Sequence, residues 1–344
     1  MKYIMNLPEH ILSEIRRLIE KNKYKDVASF LLTAAENQLF LEHEEEEVLD
    51  HGSAPKELPK ESMDLLLFRD LADVEVINMP SQKQYLYPAV DQEEKLGPLW
   101  GQINRIFPMK VGLRVLASML KTNGQYVELK DFQNQATLVA RSYGLDLRRE
   151  DKRRGRPRDS AHATGLPILD DEAKSRKRYQ AHFLAYLRED DVIEGALGRL
   201  KFVNLKRNRE GTGLIGITRE GLEFASLKSP RLDNDTSQER TLSESEIEFY
   251  LKHVLHNIPG ERKAIGQILK HISTGISTPG QLNDKFGDDY ADHKWSYEVL
   301  STNRSGLISR LRELGLVDRI RKGKEVTYAI TQRGQAWTSL FLGS

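Results

Sequence analysis

Apolar positions along the chain follow two rhythms, one with intervals of three and four residues and one that alternates, separated by short polar or glycine-containing stretches. Near the start, Tyr3, Met5 and Leu7 alternate with Lys2, Ile4 and Asn6, the pattern of a strand with two unlike faces. Leu7-Pro8-Glu9 ends that strand and opens a helix, because proline is tolerated in a first helical turn. Ile11, Ile15, Leu18 and Ile19 carry the helix onward. Residues 22–26 interrupt it, and Asp26 is placed to cap a second helix containing Phe30, Leu31, Ala34, Ala35 and Leu39. A strand and two helices within residues 1–42 cannot bury their apolar face alone, so this unit needs a partner.

Residues 43–100 read as a connector. It opens with an acidic run (Glu44, Glu45, Glu46, Glu47, Asp50) and is punctuated by Gly52, Pro55, Pro59, Pro80, Pro88 and Pro98. Within it Leu65, Leu66, Leu67, Leu71, Val74, Val76 and Ile77 are too apolar for a solvated linker and predict a short helix and strand packed on a neighbour.

The remainder contains an internal repeat. Ile-Thr-x-x-Gly occurs at 217–221 and again at 330–334, each time followed by Ser-Leu, at 226–227 and 339–340. Each copy of the signature ends a predicted hairpin, 201–205 with 214–217 and 317–320 with 326–330, around basic turns that contain glycine. Helical segments precede each hairpin, at 111–121, 129–143 and 173–188 in the first copy and at 262–272, 278–286 and 303–314 in the second. The expected domains are therefore 1–42, a connector at 43–100, 101–229 with a basic insertion at 144–172, a linker at 230–242, and 243–344.

These residues carry two resemblances. The strand ending in Leu7-Pro8-Glu9, the turn Lys23-Tyr24-Lys25 and the Phe30-Leu-Leu opening resemble the ribbon-helix-helix family. That likeness implies a homodimer through residues 1–42, whose paired strands present Lys2, Ile4 and Asn6 to the major groove. Asn pairs with adenine, Lys with guanine or phosphate, and Ile packs on a thymine methyl. The family usually has polar residues where Ile4 stands, which leaves a purely dimerising arm as the other reading. Three helices followed by a two-stranded wing is the order of a winged helix-turn-helix, and Ser309-Arg-Leu-Arg-Glu-Leu-Gly-Leu-Val317 resembles the recognition-helix exit of winged-helix regulators. Residues 297–330 are also similar to the C-terminal winged helix of archaeal origin-recognition proteins. The fold class expected is mainly α with small β: a dimerisation arm plus two winged-helix domains.

That resemblance assigns roles to the third helices and wings. In the second copy Leu307, Ile308, Leu311 and Leu314 form the buried stripe, leaving Asn303, Ser305, Ser309 and Arg312 outward for base edges, with Arg321, Lys322 and Lys324 on phosphates. In the first copy the outward residues are Lys174, Arg176, Lys177 and Arg178, with Lys206, Arg207 and Arg209 on the wing. The basic run Lys152-Arg153-Arg154-Gly155-Arg156-Pro157-Arg158 contains Arg-Gly-Arg-Pro, the core of the AT-hook. An extended Arg-Gly-Arg fits the narrow minor groove of A·T-rich duplexes, where a Cβ at the glycine would clash. A basic loop on phosphates is the alternative.

Composition narrows the choice further. The chain has no cysteine, which excludes disulfides, thiol nucleophiles and thiolate zinc sites. A net charge of +1 conceals the acidic block near residue 45 and the basic one near 155. No Gly-Lys-Ser or Gly-Lys-Thr phosphate loop is present. His253 and His256 lack a third ligand, and Asp288, Asp289 and Asp292 suit a polar connection between helices better than a magnesium site. No enzymatic activity, metal or cofactor is expected. No apolar run approaches the length of a membrane span or secretory leader, so the expected location is cytoplasmic and nucleoid-associated. The expected partners are double-stranded DNA and a second copy of the chain. A sequence-specific transcriptional regulator is the leading expectation; replication initiation, plasmid partition, or an architectural or defence-complex role with winged helices on protein are the alternatives.

Overall fold

The computed structural model describes residues 9–20, 27, 60–67, 70–77, 97–157, 160–169, 171–188, 192–233 and 239–343. The chain forms two units, Met1–Pro55 and Lys56–Ser344. In the first, helix α1 (Glu9–Glu20) buries Ile15 and half-buries Leu12 and Ile19, while Glu9, Ser13, Arg16 and Arg17 are exposed, a two-faced helix with the predicted period. The strand expected before it and the second helix expected around Phe30 lie outside the described residues, as do Lys2, Ile4 and Asn6.

The second unit is mainly helical with small antiparallel sheets. Within the expected connector, helix α2 spans Lys60–Leu67, and Leu71, Val74 and Ile77 are buried. Among the described residues of the predicted strand, the Ile77 N–H bonds to the carbonyl of Ile217 at 2.9 Å. Helix α3 (Phe107–Asn123) is the hub, and every residue from Phe107 to Ser118 is buried. Around it stand strand β1 (Val127–Glu128), helix α4 (Leu129–Arg153), helix α5 (Glu172–His182), the hairpin β2 (Tyr186–Leu187) and β3 (Ile193–Glu194), and the single turn α6 (Ala196–Arg199). The hairpin strands β4 (Val203–Arg207) and β5 (Gly213–Ile217) and helix α7 (Arg219–Ser226) complete this half. The sheet order is β1-β5-β4, with Val127 opposite Ile215.

Helix α8 (Glu244–Asn257) leads into the second repeat: α9 (Pro259–Ser273), α10 (Pro279–Asp289), α11 (Tyr297–Glu313), β6 (Val317–Lys322), β7 (Glu325–Ile330) and α12 (Gln332–Gly343). Helix α12 packs on α9 as α7 packs on α3. The Tyr328 N–H bonds to the Ser277 carbonyl at 2.9 Å, standing where β1 meets β5 in the first copy.

The repeated signature has a physical cause. Thr218 and Thr331 each cap the helix that follows, accepting from Gly221 N–H at 3.1 Å and from Gly334 N–H at 2.9 Å. Each hydroxyl also donates backward to the turn before the hairpin, Thr218 to the Lys201 carbonyl at 2.9 Å and Thr331 to the Gly315 carbonyl at 2.7 Å. Lys201 and Gly315 both adopt the left-handed region, with φ of 57° and 69°. The glycine is dictated by contact: a Cβ at Gly221 would lie 2.0 Å from the Phe202 carbonyl oxygen, and one at Gly334 would lie 2.2 Å from that of Leu316.

Three expectations for the first copy change. The third helix, expected to reach residue 188, ends at His182, because Phe183, Leu184 and Ala185 are buried consecutively, which suits extended backbone better than a one-faced helix. Helix α4 runs ten residues past its expected end at 143, through to Arg153, since Tyr143, Leu147 and Asp151 continue its buried stripe into the expected insertion. The expected linker is also partly packed: Pro230, Arg231, Leu232 and Leu242 are buried, and the Tyr143 hydroxyl donates to the Arg231 carbonyl at 2.6 Å.

Buried charges join the two repeats. Lys110 of α3 donates to the Phe224 carbonyl and, at 2.8 Å, to that of Leu227 at the end of α7, and pairs with Glu246 of α8 at 2.8 Å. One turn on, Arg114 pairs with Asp233 at 2.8 Å and donates to Leu227 at 3.0 Å. Glu246 also accepts from Ser243 N–H at 2.7 Å, closing the capping box that starts α8. Isolated, such charges would be costly to bury; here each is paired and hydrogen-bonded.

Candidate nucleic-acid interface

Helix α11 buries Leu307, Ile308, Leu311 and Leu314, the stripe its sequence predicts. A second face is covered as well, by the segment 97–106. Arg310 donates to Glu261 at 2.9 and 3.0 Å and to the carbonyls of Ile103 and, at 3.4 Å, Leu99; Glu261 accepts from Leu99 N–H at 2.8 Å. Glu313 accepts from the N–H groups of Ile106 and Phe107, satisfying the open donors where α3 begins. Pro98 and Leu99, within the expected connector, are buried in this strap.

The strap corrects one predicted site residue. Asn303, expected to face outward, is 1% exposed, and its side-chain oxygen accepts from Gly101 N–H at 2.8 Å. Ser305 remains exposed and Ser309 and Arg312 half-buried. Beside them opens a cleft of about 310 Å³. Ser301, Thr302, Ser305 and Ser309 of α11 form one wall, Gln102 and Asn104 of the strap another, and Arg178 of α5 reaches it from the first repeat. The side-chain oxygens of Gln102 and Asn104 are shielded from solvent and have no hydrogen-bond partner in the chain, while the cleft itself presents hydroxyls and a cation.

Helix α5 is polar almost throughout, with Asp171 capping it at 3.1 Å from Lys174 N–H and only Ser175 and Tyr179 buried. Lys174 and Arg178 are exposed, as expected. Arg176 is half-buried and paired with Glu172 at 2.5 Å, and Lys177 is half-buried, so these two are not the free outward cations expected. In the last turn, burial and then the nearby Arg178 push the His182 imidazole down to about 4, which leaves it neutral at physiological pH.

The two hairpins differ in the exposure of their cations. In the first, Lys206 lies over the Tyr126 ring at 3.4 Å and is half-buried; Arg207 and Arg209 are both exposed, and Arg207 donates to the Gly211 carbonyl at 3.1 Å. In the second, Arg319, Arg321, Lys322 and Lys324 are all exposed around a tight turn with Gly323 at φ 61°, and Arg321 braces that turn through the Gly323 carbonyl at 3.1 Å.

The Arg-Gly-Arg-Pro run does not take the extended form that minor-groove insertion needs. Arg153 is the last residue of α4, Gly155 has φ 63°, and the Arg156 N–H bonds to the Asp151 carbonyl at 2.9 Å, which closes the helix end. Arg154 and Arg156 are held by Glu150, Asp151 and Glu239. Arg153, Gly155 and Pro157 are exposed, and Arg158 lies outside the described residues.

The other polar clusters have structural roles. His253 is buried with its Nε2 at 2.7 Å from the Leu200 carbonyl; Asp289 meets His271 at 2.7 Å and Asp288 meets Lys285 at 3.0 Å. Sequence reasoning missed the strap, Gln102, Asn104 and Glu239. Gly97-Pro98 and Gly101 mark a break in pattern, but nothing local indicates which helix the break lies on.

No protein-family model, curated protein or solved structure matches this chain. Among the described residues no helix is long and apolar enough to cross a membrane.

Proposed function

We propose that this protein binds duplex DNA sequence-specifically, as a homodimeric transcriptional regulator, and that its two repeats are winged-helix modules. The observation that carries the reading is the convergence of Arg178 from α5 and Ser305 and Ser309 from α11 on one polar cleft. The third helices of both repeats thus contribute to one surface, and each repeat continues into a cationic hairpin. Hydroxyls and a guanidinium suit base edges, and exposed lysines and arginines on the wings suit phosphates. The amphipathic α1, with Ile15 and Ile19 on one side, supports the dimerising arm. Replication initiation, plasmid partition or an architectural role would use the same contacts and differ in where the sites lie.

Electrophoretic mobility of pooled genomic fragments at low salt tests this. Retardation of a subset is expected, with Arg178→Ala weakening that subset while leaving the fold intact; pooled fragments that all migrate freely would overturn it.

A further inference from the structure

The end of α4 carries three arginines and three carboxylates in one network, and one carboxylate differs from the rest. Arg154 pairs with Glu150 at 2.9 Å, Arg156 with Asp151 at 3.0 Å, and Arg231 with Glu150 at 3.3 Å. Asp151 is committed to the fold, since its other oxygen accepts from Ala163 N–H at 3.0 Å. Glu239 bridges the two neighbouring guanidiniums instead, one oxygen 2.6 Å from Arg154 and the other 2.9 Å from Arg156, with its side chain 70% exposed.

Without Glu239 the network would hold three cations against two anions. Two oxygens of one group, each on a separate guanidinium, are also what a phosphate presents through its non-bridging oxygens. Arg156 and Arg231 are themselves nearly buried, 9% and 5% exposed, while the carboxylate that covers them lies in solvent. His162 is 6% exposed in the same network and its Nδ1 has no partner in the chain. The Arg156 hydrogen bond holds the Glu239 carboxyl below the usual carboxylate range, so it is charged at neutral pH.

We propose that Arg154 and Arg156, backed by Arg231, form a phosphate-binding site that Glu239 occupies as an internal anion, and that a backbone phosphodiester of bound DNA displaces it. This rests on the nucleic-acid reading above for the source of the phosphate. An exposed carboxylate is held weakly enough to exchange, whereas the buried pairs beneath are not. The run that resembles a minor-groove hook thereby becomes a phosphate clamp with a built-in competitor.

The test compares the full chain with Glu239→Gln, Glu239→Ala and Glu239→Gln/Arg154→Gln, by fluorescence anisotropy on a duplex across a salt series and by thermal melting with inorganic phosphate against chloride at equal ionic strength. Both single variants are expected to bind duplex about threefold more tightly at low salt, with a log–log salt slope steeper by about 0.9, one phosphate's worth. The double variant is expected to lose that gain. Wild type and Glu239→Gln binding duplex with equal affinity and slope would overturn the proposal and leave the nucleic-acid reading standing. If, in addition, phosphate stabilised Glu239→Gln more than wild type, the phosphodiester assignment would fall in favour of a free phosphate ligand. No duplex binding by any of the four would overturn the nucleic-acid reading itself and this assignment with it.

Discussion

Gly101 and Gly306 meet backbone to backbone: a Cβ at Gly306 would stand 2.1 Å from the carbonyl oxygen of Gly101. This contact seats the strap 97–106 on α11 and shapes the cleft beside it. Gly306→Ala is therefore expected to lift the strap and destabilise the second unit by about 1–3 kcal/mol, the usual cost of overpacking. Urea unfolding measures it; a midpoint equal to wild type would show that the strap is loosely held.

The signature threonines give a paired expectation. Thr331→Ala removes a helix cap and a bond to the Gly315 carbonyl, and Thr218→Ala removes the same pair at Lys201, so each is expected to cost about 1–2 kcal/mol. Serine at either position should recover most of the loss, because the hydroxyl carries both bonds. Unfolding curves with unequal losses in the two copies, or no rescue by serine, would contradict the equivalence.

Lys110→Met strands the Glu246 carboxylate in the core, and losses of about 3–5 kcal/mol are typical when one partner of a buried pair is removed. Lys110→Met/Glu246→Leu removes both charges and should be markedly more stable than the single variant, though the capping bond to Ser243 goes with it. A double variant no better than the single one would mean that Lys110 acts chiefly through the Phe224 and Leu227 carbonyls.

Stability should fall in mild acid. Burial, then the Arg231 and Arg156 charges, push His162 down to about 4 against the counter-pull of Asp151. An unfolded histidine titrates near 6.5, so between about 6.5 and 4 the unfolded chain binds more protons than the folded one and stability drops as pH falls. The loss from His162 is on the order of 1–2 kcal/mol across that window. His162→Gln should flatten this slope in unfolding measured from pH 7 to 4. An unchanged slope would place the titrating group elsewhere, His182 first.

What could be read from the sequence, and what could not, divides mainly by the range of the interactions. The Ile-Thr-x-x-Gly repeat was legible because its capping threonine and close-packed glycine act within a few residues of one another. The buried stripe of α11 was legible because Leu307, Ile308, Leu311 and Leu314 have helical spacing. Asn303 was misread because its covering, Gly101, lies far away in the chain, and periodicity carries no record of a second buried face. Arg176 was misplaced for a local reason: Glu172, one turn earlier on the same helix, pairs with its guanidinium, a spacing the sequence does show. The Arg-Gly-Arg-Pro run was misread for a related reason: the preceding helix continued to Arg153, which converted its glycine from an extended spacer to a helix terminator.

The proposed duplex binding places base-edge contacts in the cleft and phosphate contacts on the cationic hairpins. Its most direct test is the salt dependence of duplex affinity for the full chain and for the Arg321→Ala/Lys322→Ala/Lys324→Ala variant. Saturable binding at ~50 mM salt is expected, with a log–log slope of about −4 or steeper that becomes shallower by about 2–3 in the variant. Absence of saturation at that salt, or a slope near zero in both proteins, would contradict it.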